Sequence, residues 1–447
     1  MNNTFLRRLI SAAAAGAVCL SLLGFSAAAA GKGAAADEPV PSANVLQIGD
    51  VTAYLVGAPA RTECDSGAAA VSESSSSGGD DFLARCRGID WGYGYLDNFP
   101  NPQAAKSLYN ELYNFSAALW NNPNDYAGEL VEYTDLADNV HKSMRVLGMV
   151  KPKVSMSYSD ETATTVSRVY YLFRHDHPEF YFCGMTILSY NSGQVAIIIE
   201  DEGYLKGAKR TEYGNAVKNY VKSSEALVHN DYTRTDYQNA LELYKKVMNG
   251  MSYAKVNGAA SSEPFAHNIL GGIIEKSGVC ESYAKIFSML MNYHGIDNVY
   301  VGGIGSSESH AWNLLKLDDG KYYYADSTWD DRGDDNGNYN QYFAKGSVTF
   351  GRDHRPFDPQ MTYGTFLYTL PEVAAGDFDP NGNYRSTNSR LIDFDKSGGL
   401  TNRDIKTLQQ LIVRSGSYVS YYDVNNDKKV NNRDLKELQR LITGAKA

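Results

Sequence analysis

Three residues at separate places in the chain have the types and settings for nucleophilic chemistry. Cys280 stands in SGVCESYAKIFSMLMNYHGI, just inside the start of an expected helix whose apolar positions include Ile286, Leu290 and Met291. Backbone N–H groups and the dipole at a helix start favour an anion, so a thiol there is drawn toward thiolate, the more so beside an imidazolium. Thirty residues on, SHAWNLLKL puts His310 at the beginning of an expected strand, and 16 residues later YYYADSTWDD puts Asp326 at the end of the next. If these strands form an antiparallel hairpin, both side chains reach one sheet edge. The carboxylate would orient the imidazole there, and the imidazole would take the thiol proton. An oxyanion hole is also required, and the sequence offers the Cys280 N–H plus an upstream donor it does not identify. Trp312 and Trp329 stand close to the histidine and the aspartate and are expected to wall the site, exclude water and bind substrate.

The elements that must position these residues are legible in outline. Asn101 and Pro102 open a helix by N-cap and N1 chemistry, with Leu108, Leu112, Phe115 and Leu119 on one face. Val166, Val169, Tyr170 and Phe173 mark a second helix; Tyr237, Leu241, Tyr244 and Met248 mark a third, expected to end in a left-handed cap at Gly250. Strand-like runs cover Val195 to Glu200, Val299 to Gly302, His310 to Leu317 and Lys321 to Asp326. The short connection Asp318-Asp319-Gly320 favours a hairpin, so the layout reads as α+β with an antiparallel sheet. Among other candidates, Cys183 in YFCGM reads as core, and His294 as a helix C-terminal residue favoured by the dipole. His175, His177 and His354 each lack a following strand that ends in Asp, and Asp330, Asp331, Asp334 and Asp335 read as a solvated turn.

In order, spacing and flanking aromatics, GVCESYA, HAWN and ADSTWDD resemble the core signature of the transglutaminase-like superfamily, over roughly Tyr232 to Phe357. DHPEFYF, from Asp176 to Phe182, is similar to a segment found upstream in bacterial members. The resemblance implies a papain-like/transglutaminase-like core and acyl transfer through a thioester, with Cys280, His310 and Asp326 as a triad and no cofactor for catalysis. Water as acceptor would make a cysteine peptidase, and an amine would make a crosslinking acyltransferase.

The C-terminal end repeats itself. DFDKSGGLTNRDIKTLQQLI from Asp393 aligns with DVNNDKKVNNRDLKELQRLI from Asp423 at a shift of 30 residues. Each copy is a 12-residue acidic loop running into a helix with an apolar stripe: Ile405, Leu408, Leu411 and Ile412, then Leu435, Leu438, Leu441 and Ile442. Oxygen-bearing side chains recur at Asp393, Asp395, Ser397, Thr401 and Asp404, and again at Asp423, Asn425, Asp427, Asn431 and Asp434, spacing that suits two Ca2+ ions. The arrangement resembles a type I dockerin, a small all-α calcium-binding module that docks enzymes onto the cohesin domains of a scaffoldin. By that resemblance Asn402, Arg403, Asn432 and Arg433 would contact cohesin. Lys428 stands where the first loop has Gly398, which costs ~1 to 2 kcal/mol if that position must be left-handed.

The chain has 447 residues, 43% of them hydrophobic, ample for a folded core. A net charge of −10 leaves no general footprint for a nucleic-acid partner. Arg7 and Arg8, the apolar run Leu9 to Phe25 and the alanines 27–30 have the layout of a signal peptide, so the mature protein is expected to be secreted, without a membrane anchor. The expected organisation is therefore a signal over 1–30, an N-terminal segment with a Ser/Gly-rich linker over 31–85, a catalytic domain with an upstream helical part over 86–370, a linker over 371–389 and a dockerin over 390–447. Cys64 and Cys86 flank the Ser/Gly-rich stretch and could pair in an oxidising compartment. The functional expectation is a cellulosome-associated thiol enzyme for peptide or glutamine amide bonds, linked by association to polysaccharide breakdown. The rival is a non-catalytic subunit that binds polysaccharide or cell-wall peptide.

Overall fold

The computed structural model describes residues 42–48, 51–56, 82–87, 90–124, 129–135, 140–154, 160–190, 193–198, 202–204, 206–228, 234–331, 341–357, 368–382, 394, 401–415, 422, 424–425 and 429–443. The signal segment, Cys64, Asp334, Asp335 and loop residues Asp393, Asp395, Ser397, Asp423 and Asp427 lie outside the described residues.

The N-terminal half joins helices to a barrel that the sequence did not announce. Strands β1 (Ser42–Ile48), β2 (Val51–Val56), β3 (Glu129–Asp135), β4 (Val140–Val150), β5 (Thr186–Tyr190) and β6 (Val195–Ile198) close in the order β1-β2-β5-β6-β4-β3. Two of its pairings, β1 with β3 and β2 with β5, are parallel, so the barrel differs from the antiparallel sheet that the sequence led us to expect. Short helices α1 (Phe82–Cys86) and α2 (Trp91–Tyr95) precede α3 (Pro102–Asn121). Asn101 caps α3 by accepting the Ala104 N–H at 3.1 Å, and Leu108, Leu112 and Leu119 are buried on its inner face. Helix α4 (Asp160–Asp176) buries Val166, Val169, Tyr170 and Phe173, and Tyr109 of α3 meets Phe173 edge to face.

Helices α5 (Ala208–Lys222) and α6 (Asp236–Gly250) lead into the second half. A capping box opens α6, with the Thr235 side chain accepting from the Gln238 N–H and the Gln238 side chain accepting from the Thr235 N–H. The left-handed cap expected at Gly250 is absent: Gly250 is the last helical residue, it is not among the positive-φ glycines, and Met251 is extended. The reason is the next pairing. Ser252 N–H goes to the Lys276 carbonyl as β7 (Ser252–Tyr253) pairs with β10 (Ser277–Gly278), so the chain leaves the helix directly into a strand. Between them lies a small hairpin of β8 (Lys255–Val256) and β9 (Ala259–Ala260).

Helix α7 (Cys280–Tyr293) is followed by β11 (Asn298–Gly305), β12 (Glu308–Lys316), β13 (Tyr322–Ala325) and β14 (His354–Pro356), an antiparallel sheet in the order β13-β12-β11-β14. The β12–β13 turn carries Gly320 at φ +78°, a conformation that glycine adopts without strain. Asn313 Nδ2 donates to the Ala284 carbonyl and to Ser288 Oγ, fastening α7 to β12. Trp312 and Tyr324 turn to Phe350 of α9 (Ser347–Phe350). With both faces covered, His310 to Leu315 are all buried, and the run lacks the polar alternation of a half-exposed strand.

At the C-terminus α10 (Asn402–Ser415) and α11 (Asn432–Thr443) pack around Phe394, Leu408, Val424 and Leu438. Both helices begin at the same point of the repeat. Among the described residues no helix is long and apolar enough to cross a membrane.

Candidate active site

Cys280 is the first residue of α7 and packs with Ala311, the residue after His310 in β12. The pairing of β12 with β13 runs from Asn313 to Lys316 and does not extend to His310 and Ala311. Cys280, Ala284, Tyr300 and Ala311 form one buried cluster with Tyr253 against it. Burial first, then the Glu281 charge and that of Asp326, push the thiol up to about 12, against the backbone N–H groups of Ala311 and Glu281. Cys280 stands at the helix start as the sequence led us to expect, and burial of the sulfur works against the N–H groups there.

His310 Nε2 lies 2.8 Å from Asp326 Oδ2. Asp326 caps α8 (Ser327–Asp330), and its Oδ1 accepts the N–H groups of Thr328 at 2.9 Å and Trp329 at 3.2 Å. A second imidazole, His354 Nε2, reaches Oδ2 at 3.0 Å. Burial alone would raise this carboxyl, but the charge and hydrogen bond of His310 and the contact with His354 hold it down at about 2. Asp326 is thus a fully buried anion with four donors on its two oxygens. Because Nε2 of His310 is taken by Asp326, Nδ1 is the ring nitrogen left to accept a proton.

His354 escaped the sequence reading because its carboxylate partner precedes it in the chain. Pairing of β14 with β11 sets His354 opposite Gly305, while His310 is opposite Gly303. Positions 303 and 305 share a sheet face and have no side chains, which leaves room for the two imidazoles and the indoles that cover them. A Cβ on Gly303 would come 2.3 Å from Trp312 Cη2, and one on Gly305 would come 2.9 Å from Trp329 Cζ2 and 3.0 Å from His310 Cδ2. Nε2 of both histidines and Oδ2 of Asp326 lie close enough together to be considered as a metal cluster. Their contacts of 2.8 and 3.0 Å are hydrogen-bond separations, tighter than the roughly 3.3 Å between neighbouring ligands of a tetrahedral zinc with ~2.0 Å bonds.

Residues 226–327 match the model of the transglutaminase-like superfamily, a span that holds Cys280, His310 and Asp326. The chain carries a transglutaminase-like domain. Among solved structures it is similar to a candidate cysteine protease from Cytophaga hutchinsonii, at 19% identity over 25% of this chain and 37% of that one, with a TM-score of 0.20. It is also similar to a TGase, at 14% identity over 39% and 52% with a TM-score of 0.25. A third likeness is to the periplasmic domain of TgpA from Pseudomonas aeruginosa bound to ethylmercury, at 15% over 30% and 55% with a TM-score of 0.20. The chain thus spans between 37% and 55% of the length of these structures, and scores this low leave the assignment resting on the matched residues. No curated protein matches it.

Within the transglutaminase-like domain the two tryptophans differ. Trp312 is 1% exposed, packed on Phe350, His354 and Tyr324, so it stands behind the histidines and is corrected from a substrate contact to a core residue. Trp329 lies partly exposed over His310 and His354. The solvated aspartate turn is also corrected. Asp330 is buried, accepts from Tyr244 and Tyr342, and is raised to about 6, chiefly by burial, while Asp331 accepts from the Tyr283 hydroxyl. His294 does terminate α7, but burial, then Arg85, keep its ring neutral, so a charge–dipole attraction is not what holds it. Its Nε2 meets Ser224 Oγ at 2.7 Å.

Of the repeat residues that are described, Asp404 and Asp434 are fully buried. Asp404 accepts from the Thr401 N–H; Asp434 accepts from the N–H groups of Asn431 and Asn425. Asn402, Arg403, Asn432 and Arg433 are exposed at the starts of the two helices.

Proposed function

We propose that the transglutaminase-like domain is a thiol enzyme that cleaves or transfers the acyl group of peptide or glutamine amides. The observation that carries this reading is the 2.8 Å contact between His310 Nε2 and the buried carboxylate of Asp326, on a strand whose next residue, Ala311, packs with Cys280 at the start of α7. Asp326 holds His310 with Nδ1 as acceptor. As the Cys280 sulfur bonds to the amide carbon, its proton passes to Nδ1, and the carbonyl electrons move to an oxyanion faced by the Cys280 N–H. Collapse breaks the C–N bond, the departing nitrogen takes the proton from Nδ1, and a thioester remains. Water or an amine then attacks that thioester, giving up a proton to His310, and the thiol is released with the same proton returned. Hydrolysis is preferred, since nothing in the sequence marks an amine pocket.

The test uses the full chain with casein as substrate, following peptide release and, separately, incorporation of a fluorescent amine. Activity lost in Cys280→Ala and in His310→Ala supports the enzyme. Equal behaviour of both variants and the parent would leave the binding subunit as the better account.

A second observation supports a docking role for the C-terminal repeat. Two helices 30 residues apart start identically, each with a buried aspartate behind its first turn and an exposed Asn-Arg pair ahead of it. We propose that this is a dockerin that binds two Ca2+ ions and presents Asn402, Arg403, Asn432 and Arg433 to a cohesin, so that the enzyme works outside the cell on a scaffoldin. Binding to a cohesin that is abolished by EGTA supports this reading, and cohesin binding unaffected by EGTA would overturn it.

A further inference from the structure

His354 lies outside the matched span of 226–327, yet it touches the same carboxylate oxygen as His310. Its ring is fully buried, with Nε2 3.0 Å from Asp326 Oδ2 and Nδ1 2.6 Å from Asp353 Oδ1. Each ring nitrogen therefore faces a carboxylate oxygen. Trp329, Phe350, Trp312 and Tyr342 enclose the ring at centroid separations of 4.2, 4.1, 5.1 and 5.3 Å. Tyr342 also donates its hydroxyl to Asp353 Oδ2 at 2.9 Å, fixing the far carboxylate. The titratable groups around the ring are thus Asp326, Asp353, His310 and Tyr342.

We infer that His354 is a positioning residue for the proposed Cys280–His310–Asp326 group, clamping Asp326 so that Oδ2 holds His310 with its proton on Nε2 and its acceptor on Nδ1. The inference rests on the reading of the domain as a thiol enzyme only for its consequence in activity; the clamp itself can be measured without turnover. A carboxylate oxygen held by a single imidazole can rotate about χ2 and share its load with Oδ1. One held from two sides, with Oδ1 already committed to the Thr328 and Trp329 N–H groups, has one orientation left. The tautomer of His310 is then set by a residue 44 positions away in sequence.

The experiment reads the ring 15N shifts of His310 in the full-length chain carrying Cys280→Ala, where catalysis is removed. The parent should show the Nε2–H tautomer. His354→Phe keeps the ring volume but loses both donors, and should give a mixture of His310 tautomers. His354→Gln can return one N–H to Asp326 and should retain the parent pattern more closely. A His310 pattern in His354→Phe identical to the parent overturns the inference, as does a Gln variant indistinguishable from Phe. Should Phe not fold, Asp353→Asn, at a partly exposed position, releases the clamp from its far side, and an unchanged His310 pattern there is equally fatal. With Cys280 restored, iodoacetamide alkylation should slow by about 10- to 100-fold in His354→Phe, the range seen when the outer hydrogen-bond partners of metal-ligating histidines are lost. If Cys280→Ala leaves turnover unchanged while the His310 tautomer still follows His354, the enzyme reading fails and the clamp stands.

Discussion

Tyr244 of α6 places its hydroxyl 2.6 Å from the backbone carbonyl of Asp326. The same oxygen lies 2.7 Å from Asp330 Oδ2, so one phenol ties the helix to both ends of the short turn that carries the carboxylate. The phenolic proton is shared between these two acceptors. Tyr244→Phe should leave the Asp326 carbonyl and Asp330 short of a donor in a buried place. The expected loss is about 1 to 3 kcal/mol, read by urea unfolding at pH 7, with activity falling as well because the turn holding Asp326 loosens.

Asp330 gives the fold a pH dependence of defined sign. Its folded pKa is raised from 3.8 to about 6, so its contribution is full below 3.8 and is lost as pH rises through 6. Asp330→Asn should flatten that stretch of the stability curve. A wild-type slope retained in the variant would show that other groups produce it.

Asp326 works in the opposite direction. Held at about 2 against an ordinary 3.8, it contributes stability that is present above pH 3.8 and disappears as pH falls through 2. The shift corresponds to about 2 kcal/mol. Denaturation of Asp326→Asn should show this acid limb missing, together with loss of activity from a misoriented His310.

Cys280 should behave as a thiol that reacts through its base. With the sulfur pushed up to about 12 by burial, direct ionisation near pH 7 is negligible. Iodoacetamide labelling at pH 7 should therefore fall about 100-fold or more in His310→Ala and recover as pH approaches 12. Equal labelling of parent and variant at pH 7 would mean that the imidazole does not serve the thiol.

Gly305→Ala tests the room left for the imidazoles. The new Cβ would sit 2.9 Å from Trp329 and 3.0 Å from His310, so one of the rings must shift. A displacement near 1 Å at a reacting group costs about 100-fold in rate, and kcat is expected to fall by that order, with about 1 to 3 kcal/mol of stability lost to overpacking.

Calcium titration of the full chain should show two sites, with Asp404→Ala and Asp434→Ala each removing one. A carboxylate at loop position 12 closes the sphere around the ion. Titration curves identical to the parent would assign these buried aspartates a purely local role in holding the helix starts.

Much of this protein was written in local chemistry that needs few neighbours. Asn101-Pro102 started α3, Asp318-Asp319-Gly320 turned β12 into β13, and a period of 3.6 marked the buried faces of α3, α4 and α6. Cys280 at a helix start, His310 on one strand and Asp326 after the next were readable for the same reason: each is fixed within its own element. Other features depend on long-range pairing. The barrel closes by parallel contacts of β1 with β3 and β2 with β5, which no local pattern encodes. His354 reaches Asp326 only because β14 lies on a glycine-bearing strand, and a glycine run read alone looks like a loop. The state of the thiol was also decided in three dimensions. A helix N-terminus can be read from sequence, whereas desolvation depends on what packs around the sulfur, and here burial prevails.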